Sequence, residues 1–196
     1  MEKKDLKPAG VFKYFEEICQ VPRPSKKEEK IIAYLKAFGA KHNLETNVDE
    51  AGNVLIKKPA TPGKENLQTV ILQSHIDMVC EKNNDVQHDF LTDPIETEID
   101  GEWLKAKGTT LGADNGIGVA TELAILADDS IEHGPLECLF TVDEETGLTG
   151  AFELKEGFMS GDILLNLDSE DEGEIFIGCA GGIDSVAEFS YKEVEV

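Results

Sequence analysis

Residue types that commonly bind divalent metal ions follow three apolar stretches of this sequence. His75 ends the stretch TVILQSH, and Asp77 stands two residues further on. Glu144 and Glu145 follow LECLFTVD, and Asp168 follows DILLNL. A neutral histidine and carboxylates are common zinc ligands, and a carboxylate can bridge two ions. The sequence therefore contains the ligands for a metal site of nitrogen and oxygen donors.

The spacing of these residues suggests how they could divide the chemistry. In the triplet HID, His75 and Asp77 share one face of an extended strand, so the carboxylate can orient the imidazole and raise its basicity. The adjacent Glu144 and Glu145 should point in different directions, one towards a metal ion and one towards a water. Zinc lowers the pKa of such a water towards about 7, and a nearby carboxylate can take its proton.

Asp114 follows the segment TTLGA and opens a predicted helix, whose positive N-terminal end favours a carboxylate. Each of these features alone also has an ordinary structural explanation. An HxD triplet occurs often by chance, two adjacent glutamates usually form a solvated surface, and an aspartate before a helix is usually a cap. The joint placement of five such residues is what favours a metal site.

Apolar stretches and turn signals predict an α/β fold. Buried strands are expected at TVILQSH, LECLFTV and DILLNLD, and hairpins at ETNVDEAGNVLIKKP and TEIDGEWLKAKG. Helices are expected within residues 12–19, 21–38, 115–129 and 147–154, the second with a capping box formed by Ser25 and Glu28. This alternation predicts a mixed, largely parallel sheet with helices on both faces. Since ligands bind beyond the carboxyl ends of such strands, the candidate metal ligands should meet at one edge.

Composition excludes several classes of partner. The chain of 196 residues has 18 basic and 40 acidic residues and a formal net charge of −22, which argues against nucleic acid and against an anionic membrane surface. No run approaches the roughly 18 apolar residues of a membrane span, and MEKKDLKPAG lacks the apolar core of a secretion signal. Four scattered cysteines predict neither disulfides nor a cysteine zinc site, so a cytoplasmic location is expected.

Four segments, HIDMVCEKN, TTLGADNGIGVA, DEETGLTGA and NLDSEDEGEIFIGCAGG, together resemble the aminoacyl-histidine dipeptidase (Xaa-His dipeptidase) family. These enzymes belong to the co-catalytic zinc peptidases that include peptidase T and carboxypeptidase G. The four segments occur in the family order, and the resemblance covers nearly the whole chain. It implies the zinc-dependent hydrolysis of dipeptides of the aminoacyl-histidine type.

The resemblance also implies a role for each candidate residue. His75 and Asp168 would bind a first zinc ion, Glu145 would bind a second, and Asp114 would bridge both, with a peptide bond after it that is often cis. Manganese and cobalt also suit such ligands.

Two further residues would act beside the metal ions. Asp77 would orient His75, and Glu144 would be the general base that takes the proton of the attacking water. Small peptides would be the substrates.

The family is more than twice as long as this chain. Residues 1–180 are therefore expected to form the N-terminal part of the metallopeptidase catalytic domain, and residues 181–196 the start of a truncated lid and dimerisation domain. Residues 174–196 have strand composition, and the sequence stops within them. The resemblance implies a homodimer formed through the lid, and a last zinc-ligand histidine near the far C-terminus. The 196-residue chain alone is thus expected to be nearly inactive.

Two other functions stay open. One is that of a related zinc amidohydrolase, such as an aminoacylase or a tripeptidase, which only a panel of substrates would separate. The other is that of a non-catalytic metal-binding fragment, which would keep metal and bind no substrate.

Overall fold

A computed structural model describes residues 3–169, 171, 173–178, 181 and 185–192. After a short 3₁₀ turn at Lys3–Asp5, the helices are α1 (Ala9–Cys19), α2 (Glu29–Lys41), α3 (Ala113–Ala127) and α4 (Thr149–Phe152). The strands are β1 (Glu45–Val48), β2 (Val54–Lys58), β3 (Val70–His75), β4 (Thr97–Asp100), β5 (Trp103–Ala106), β6 (Leu136–Thr141) and β7 (Ile163–Asn166).

A five-stranded sheet with the order β1-β2-β6-β3-β7 forms the centre of the fold, and β4 and β5 form a separate hairpin. Strands β6, β3 and β7 are parallel, whereas β1 pairs antiparallel with β2, and β2 with β6. The predicted mixed sheet is therefore confirmed. The prediction that β7 is a buried strand is wrong, because β7 lies at the edge of the sheet and its residues are exposed. The register pairs His75 with Thr141 and Gln73 with Asn166, so the three parallel strands end at the same edge.

Helices α1, α2 and α3 contribute to one large core against the central sheet. Its buried side chains include Phe15, Ile31, Ile56, Leu123 and Phe140. The predicted inward face of α3 is confirmed, because Val119, Leu123 and Leu126 are all buried. On the other face of the sheet, Leu55, Ile71 and Leu139 form a smaller cluster, which is covered by Leu154, Phe158 and Met159 from the segment after α4. Burial of each such large apolar side chain stabilises the fold by about 1.5–3 kcal/mol.

The predicted capping box before α2 is wrong. The helix begins only at Glu29, and no side chain caps its N-terminus. The hydroxyl of Ser25 instead donates to Asp77 Oδ2 at 2.8 Å. Glu28 Oε1 accepts hydrogen bonds from the backbone N–H of Lys26 at 2.9 Å and of Asp143 at 3.0 Å. The side chains of Ser25 and Glu28 therefore bind partners that are distant in sequence, and they do not form the predicted helix cap.

Both predicted hairpins are present. In the turn between β1 and β2, Asp49 Oδ1 accepts the backbone N–H groups of Ala51, Gly52 and Asn53, and Gly52 has a φ of 103° that suits glycine. The turn between β4 and β5 contains Gly101 at a φ of 64°. Both turns form where the sequence predicts them, because glycine permits the positive φ and, in the first turn, Asp49 satisfies the backbone.

The C-terminal segment has no strand among its described residues, 174–178, 181 and 185–192, although its composition predicted one. The predicted domain boundary after residue 180 and the end of the chain fall partly outside the described residues. Cys19, Cys80 and Cys138 are free thiols. No described helix is long and apolar enough to cross a membrane.

Candidate metal centre

The carboxyl edge of the parallel strands brings the predicted metal ligands together. His75 is the last residue of β3, Glu144 and Glu145 lie in the loop after β6, and Asp168 follows β7. Asp114 lies at the start of α3, where its non-helical backbone (φ −83°, ψ 117°) precedes the regular helix. The Asp114–Asn115 peptide bond is cis. The expectation that these residues meet at one edge of the sheet is therefore confirmed.

The imidazole of His75 lies at the centre of the site, and only 1% of the residue is exposed. Its Nε2 atom is 3.1 Å from Asp114 Oδ1, 3.7 Å from Asp168 Oδ1 and 4.0 Å from Glu144 Oε2. Its other nitrogen, Nδ1, is 3.2 Å from Asp77 Oδ1. With Nδ1 protonated, the ring donates to Asp77 and directs the lone pair of Nε2 towards the other three carboxylates.

Two groups of donors could hold a metal ion, and both include His75. His75, Asp114 and Asp168 form one group, and His75, Glu144 and Glu145 form the other; within each group one donor atom per residue lies within 4.8 Å of the others. The side chains of Glu144 and Glu145 thus approach the same histidine, whereas the sequence predicted that they point in different directions. Imidazole nitrogen with carboxylate oxygen is a donor set that fits zinc, manganese or cobalt.

The pKa shifts at the site indicate an excess of negative charge. Burial, together with the charges of Asp114 and Glu144, raises the pKa of Asp168 to about 6, although His75 opposes the shift. Burial alone would lower the pKa of His75, but hydrogen bonds and the charges of nearby carboxylates raise it to about 9. The pKa of Glu145 is also raised, by burial and by its acidic neighbours. Because a cation would relieve this repulsion, the site fits a divalent metal ion.

Asp77 connects the histidine to the loop that carries the two glutamates. It is fully buried, and its carboxylate accepts the backbone N–H groups of Glu144 at 3.1 Å and Glu145 at 3.2 Å. Burial would raise the pKa of Asp77, but the hydrogen bonds from His75, Glu144 and Ser25 lower it below its usual value. Asp77 therefore stays an anion that orients both the ring and the loop.

Several residues that support the site were not predicted from the sequence. Asn115 is buried and donates from Nδ2 to Asp168 Oδ1 at 2.8 Å, so the start of α3 orients the ligand that follows β7. Glu28 holds the backbone of Asp143, whose own carboxylate accepts the hydroxyls of Thr146 and Thr149. No local signal identifies these residues, because their partners are 53 and 115 positions away.

Glu28, Asp77 and Asp143 form a third acidic group whose oxygens lie within 4.8 Å of one another. Each of these carboxylates already accepts hydrogen bonds from backbone N–H groups or hydroxyls of the protein. Hence we interpret the group as a buried support of the loop after β6, not as a further metal site.

Comparison with known proteins identifies similar chains. Residues 71–190 match peptidase family M20/M25/M40. The cytosol non-specific dipeptidase of Escherichia coli (strain K12) is 53% identical over 183 residues, which are 93% of this chain and 38% of that protein.

Solved structures of peptidases also superimpose on this chain. The crystal structure of an aminoacylhistidine dipeptidase from Vibrio alginolyticus superimposes with a TM-score of 0.86 at 55% identity, over 88% of this chain and 35% of that one. An aminopeptidase PepT from Bacillus cereus superimposes with a TM-score of 0.70 at 26% identity, over 83% and 43% of the two chains. The chain thus spans less than half the length of each of these proteins.

Proposed function

The chain belongs to peptidase family M20/M25/M40, and from this premise we propose that its His75 centre is the metal site of a dipeptidase. The observation that carries the proposal is the convergence of one imidazole and four carboxylates, from Asp114, Glu144, Glu145 and Asp168, at the carboxyl edge of the sheet. The resemblance inferred from the four sequence segments agrees with this family membership.

We propose two zinc ions as the cofactor of the full-length enzyme, with manganese and cobalt as alternatives of the same donor preference. His75 and Asp168 would hold the first ion, Glu145 the second, and Asp114, which lies beside His75 and Asp168, would bridge them. When bound, the ions supply Lewis acidity towards the scissile carbonyl and lower the pKa of the attacking water.

The protein groups around the site would move the proton. The carboxylate of Glu144 is one-third exposed and lies beside the ligand His75, so it can take a proton from the attacking water. It then returns this proton to the leaving amine, which completes the hydrolysis of the peptide bond. Asp77 keeps the His75 ring and the backbone of Glu144 in place during this cycle.

Dipeptides are the proposed substrates because the two relatives above 50% identity are named as dipeptidases. One is described as non-specific and the other as acting on aminoacyl-histidine, so a preference for histidine in the second position stays a prediction. The aminopeptidase relative at 26% identity supports the proposed fold, but it says less about the substrate.

The domain assignment and the biological setting also remain proposals. Residues 1–180 would belong to the catalytic domain and residues 181–196 to the start of a lid domain, through which a homodimer would form. The cytoplasm is the proposed location, as the name of the Escherichia coli relative indicates for that protein.

The matched variants Glu144→Gln and Glu145→Gln test the proposed roles. We expect Glu144→Gln to keep its zinc and to lose roughly 10²- to 10⁴-fold in turnover, because only the proton acceptor is removed. Glu145→Gln should instead lose the second zinc ion, which elemental analysis of the completed chimera described next would measure. Turnover on a panel of dipeptides would be followed in the chain itself and in a chimera completed by the remaining residues of the Escherichia coli relative.

Other outcomes of these experiments would contradict the proposed roles. Loss of zinc in Glu144→Gln would show that the roles of the two glutamates are exchanged. Zinc binding without hydrolysis by the chimera would support a non-catalytic metal-binding protein. We expect the chain alone to turn over slowly, since it spans 38% of that relative, and fast turnover would contradict this part.

A further inference from the structure

A buried arginine lies directly behind the metal centre and takes part in none of the proposed steps. Arg23 is 3% exposed, in the segment that precedes α2. Its Nη1 atom donates to the backbone carbonyls of Ile76 at 3.1 Å and Asp77 at 3.0 Å. Its Nη2 atom donates to the backbone carbonyl of Gly112. One side chain therefore binds the backbone of two separate segments.

Both of these segments carry proposed metal ligands. Ile76 and Asp77 directly follow His75, and Gly112 stands two residues before Asp114. Because His75 and Asp114 are 39 residues apart in sequence, their separation of 3.1 Å depends on how the two segments are held together. Arg23 forms a rigid planar link between them, since a guanidinium presents its donors in a fixed fork.

Two glycines of the segment TTLGADNGIGVA make the space that this guanidinium occupies. A Cβ atom on Gly112 would lie 2.5 Å from Nη2 of Arg23, and one on Gly116 would lie 2.7 Å from the same atom. Both distances are far below van der Waals contact. The segment that carries Asp114 is thus shaped around the arginine.

The charge of Arg23 also acts on the centre. Among the described residues no carboxylate lies within ion-pair distance of it, and its guanidinium is satisfied by carbonyl oxygens. The charges of Asp77 and Glu145 nevertheless stabilise its cationic form, although burial lowers its pKa. A permanent cation behind an acidic site offsets part of the repulsion between its carboxylates.

Neighbouring residues hold the same segment in place. Pro24 forms an isolated parallel bridge with Met78, and the Ser25 hydroxyl donates to the Asp77 carboxylate. The stretch from Arg23 to Ser25 therefore runs beside the end of β3.

We propose that Arg23 is a positioning residue of the metal centre, which fixes the distance between His75 and Asp114 by binding the backbone on both sides. The inference rests on the proposed metal-binding function. Arg23 is buried and donates to backbone carbonyls, so its effect is exerted on metal affinity and coordination geometry.

The test compares zinc affinity and the visible absorption spectrum of bound cobalt in Arg23→Met, Arg23→Lys and the unsubstituted protein. We expect Arg23→Met to weaken zinc binding roughly 10- to 100-fold and to change the cobalt spectrum. Arg23→Lys should restore affinity in part, because it keeps the charge and loses the fork.

Lys58→Met is the matched control, since Lys58 is also a buried cation that donates to backbone carbonyls, those of Ile125 and Asp128. It pairs with the first residue of β6, at the end of the strand opposite the metal centre. We expect Lys58→Met to lower thermal stability and to leave zinc affinity and the cobalt spectrum unchanged. An equal loss of affinity in both variants would overturn the inference, because general destabilisation would then explain it.

Gly116→Ala provides a second route if Arg23→Met does not fold. It keeps the arginine and displaces its guanidinium, so it should also weaken zinc binding and alter the cobalt spectrum. If Arg23→Met or Gly116→Ala bound zinc with wild-type affinity and gave a wild-type cobalt spectrum, the inference about Arg23 would be overturned, but the proposed function would not. Failure of the unsubstituted protein to bind zinc would overturn the proposed function, and with it this inference.

Discussion

Glu122 is a carboxyl group buried in the core, next to strand β3, which carries His75 of the proposed metal centre. The residue is 0% exposed, and its Oε1 accepts the hydroxyl of Ser74 at 2.6 Å. Within the described part of the chain, its Oε2 has no hydrogen-bond partner. Burial raises the pKa of Glu122 to about 8, although the hydrogen bond from Ser74 lowers it. Glu122 is therefore mostly protonated in the folded protein at neutral pH.

Glu122→Gln should stabilise the protein increasingly as the pH rises. In the unfolded chain the carboxyl ionises near its ordinary pKa of 4.5, whereas the folded state keeps the proton up to about pH 8. Below pH 4.5 the ionisation of Glu122 does not change the free energy of unfolding. Between pH 4.5 and about pH 8 it lowers the free energy of unfolding by at most about 1.4 kcal/mol per pH unit. The amide does not titrate. Urea unfolding at pH 5, 6, 7 and 8 would measure a growing difference between the two proteins.

The exposed Glu102 in the turn between β4 and β5 supplies the control. Glu102→Gln should change the free energy of unfolding by less than about 0.5 kcal/mol at every pH. A constant difference between Glu122→Gln and the parent protein from pH 5 to pH 8 would show that Glu122 does not hold its proton on folding.

At the scale of elements, the loop between β6 and α4 must place two glutamates against a histidine from another strand. Asn53, directly before β2, is fully buried and holds this loop in place. Its Nδ2 donates to the carbonyl of Gly150 at 2.8 Å, and its Oδ1 accepts the N–H of Val142 at 3.1 Å. These two hydrogen bonds hold the short helix α4 against the end of β6. The contact leaves no space for a side chain at Gly150.

Gly150→Ala should destabilise the fold by about 1–3 kcal/mol. A Cβ atom at this position would lie 2.5 Å from the carbonyl oxygen of Val142, which is backbone and cannot move away cheaply. Alanine favours a helix over glycine by about 1 kcal/mol, so a net loss would show that the contact outweighs the propensity. Chemical unfolding would measure the change.

Gly147→Ala is the matched control in the same loop. The nearest atom to a Cβ there is 3.8 Å away, which is ordinary contact. We expect a change within about 0.5 kcal/mol. Equal destabilisation by the two variants would contradict the role assigned to the close approach of α4 and β6.

At the scale of the whole molecule, excess acidity is the dominant electrostatic property. The net charge of −22 destabilises the compact state through self-repulsion, and part of that charge converges on the metal centre. Salt screens the repulsion between acidic groups throughout the protein. A divalent ion bound at the proposed centre would instead stabilise the folded state alone, because the unfolded chain lacks the site.

Zinc should therefore raise the melting temperature at concentrations too low for screening. Binding stabilises by about 2.7 kcal/mol when free zinc is 100 times its Kd, and a chelator should reverse the effect. Thermal unfolding with sodium chloride at equal ionic strength gives the screening contribution alone. The variant Asp114→Ala should keep the response to salt and lose the response to zinc. A zinc effect of equal size in Asp114→Ala would place the bound ion elsewhere.

Much of this protein could be inferred from local sequence pattern. These local patterns are the periodicity of α3, the two hairpin turns, and the apolar strands that end at His75 or shortly before Glu144 and Asp168. These signals sufficed to predict the mixed sheet and to bring the candidate ligands to one edge, because parallel strands present their carboxyl ends together.

Only the tertiary structure decided which side chains support that edge. Ser25 and Glu28 have the spacing of a helix cap, yet they bind Asp77 and the backbone of Asp143. Arg23 reaches two segments that the sequence separates, and Asn115 reaches Asp168. Local pattern cannot rank a nearby cap against a distant partner, because the choice depends on which buried polar groups the completed fold would otherwise leave without a hydrogen bond.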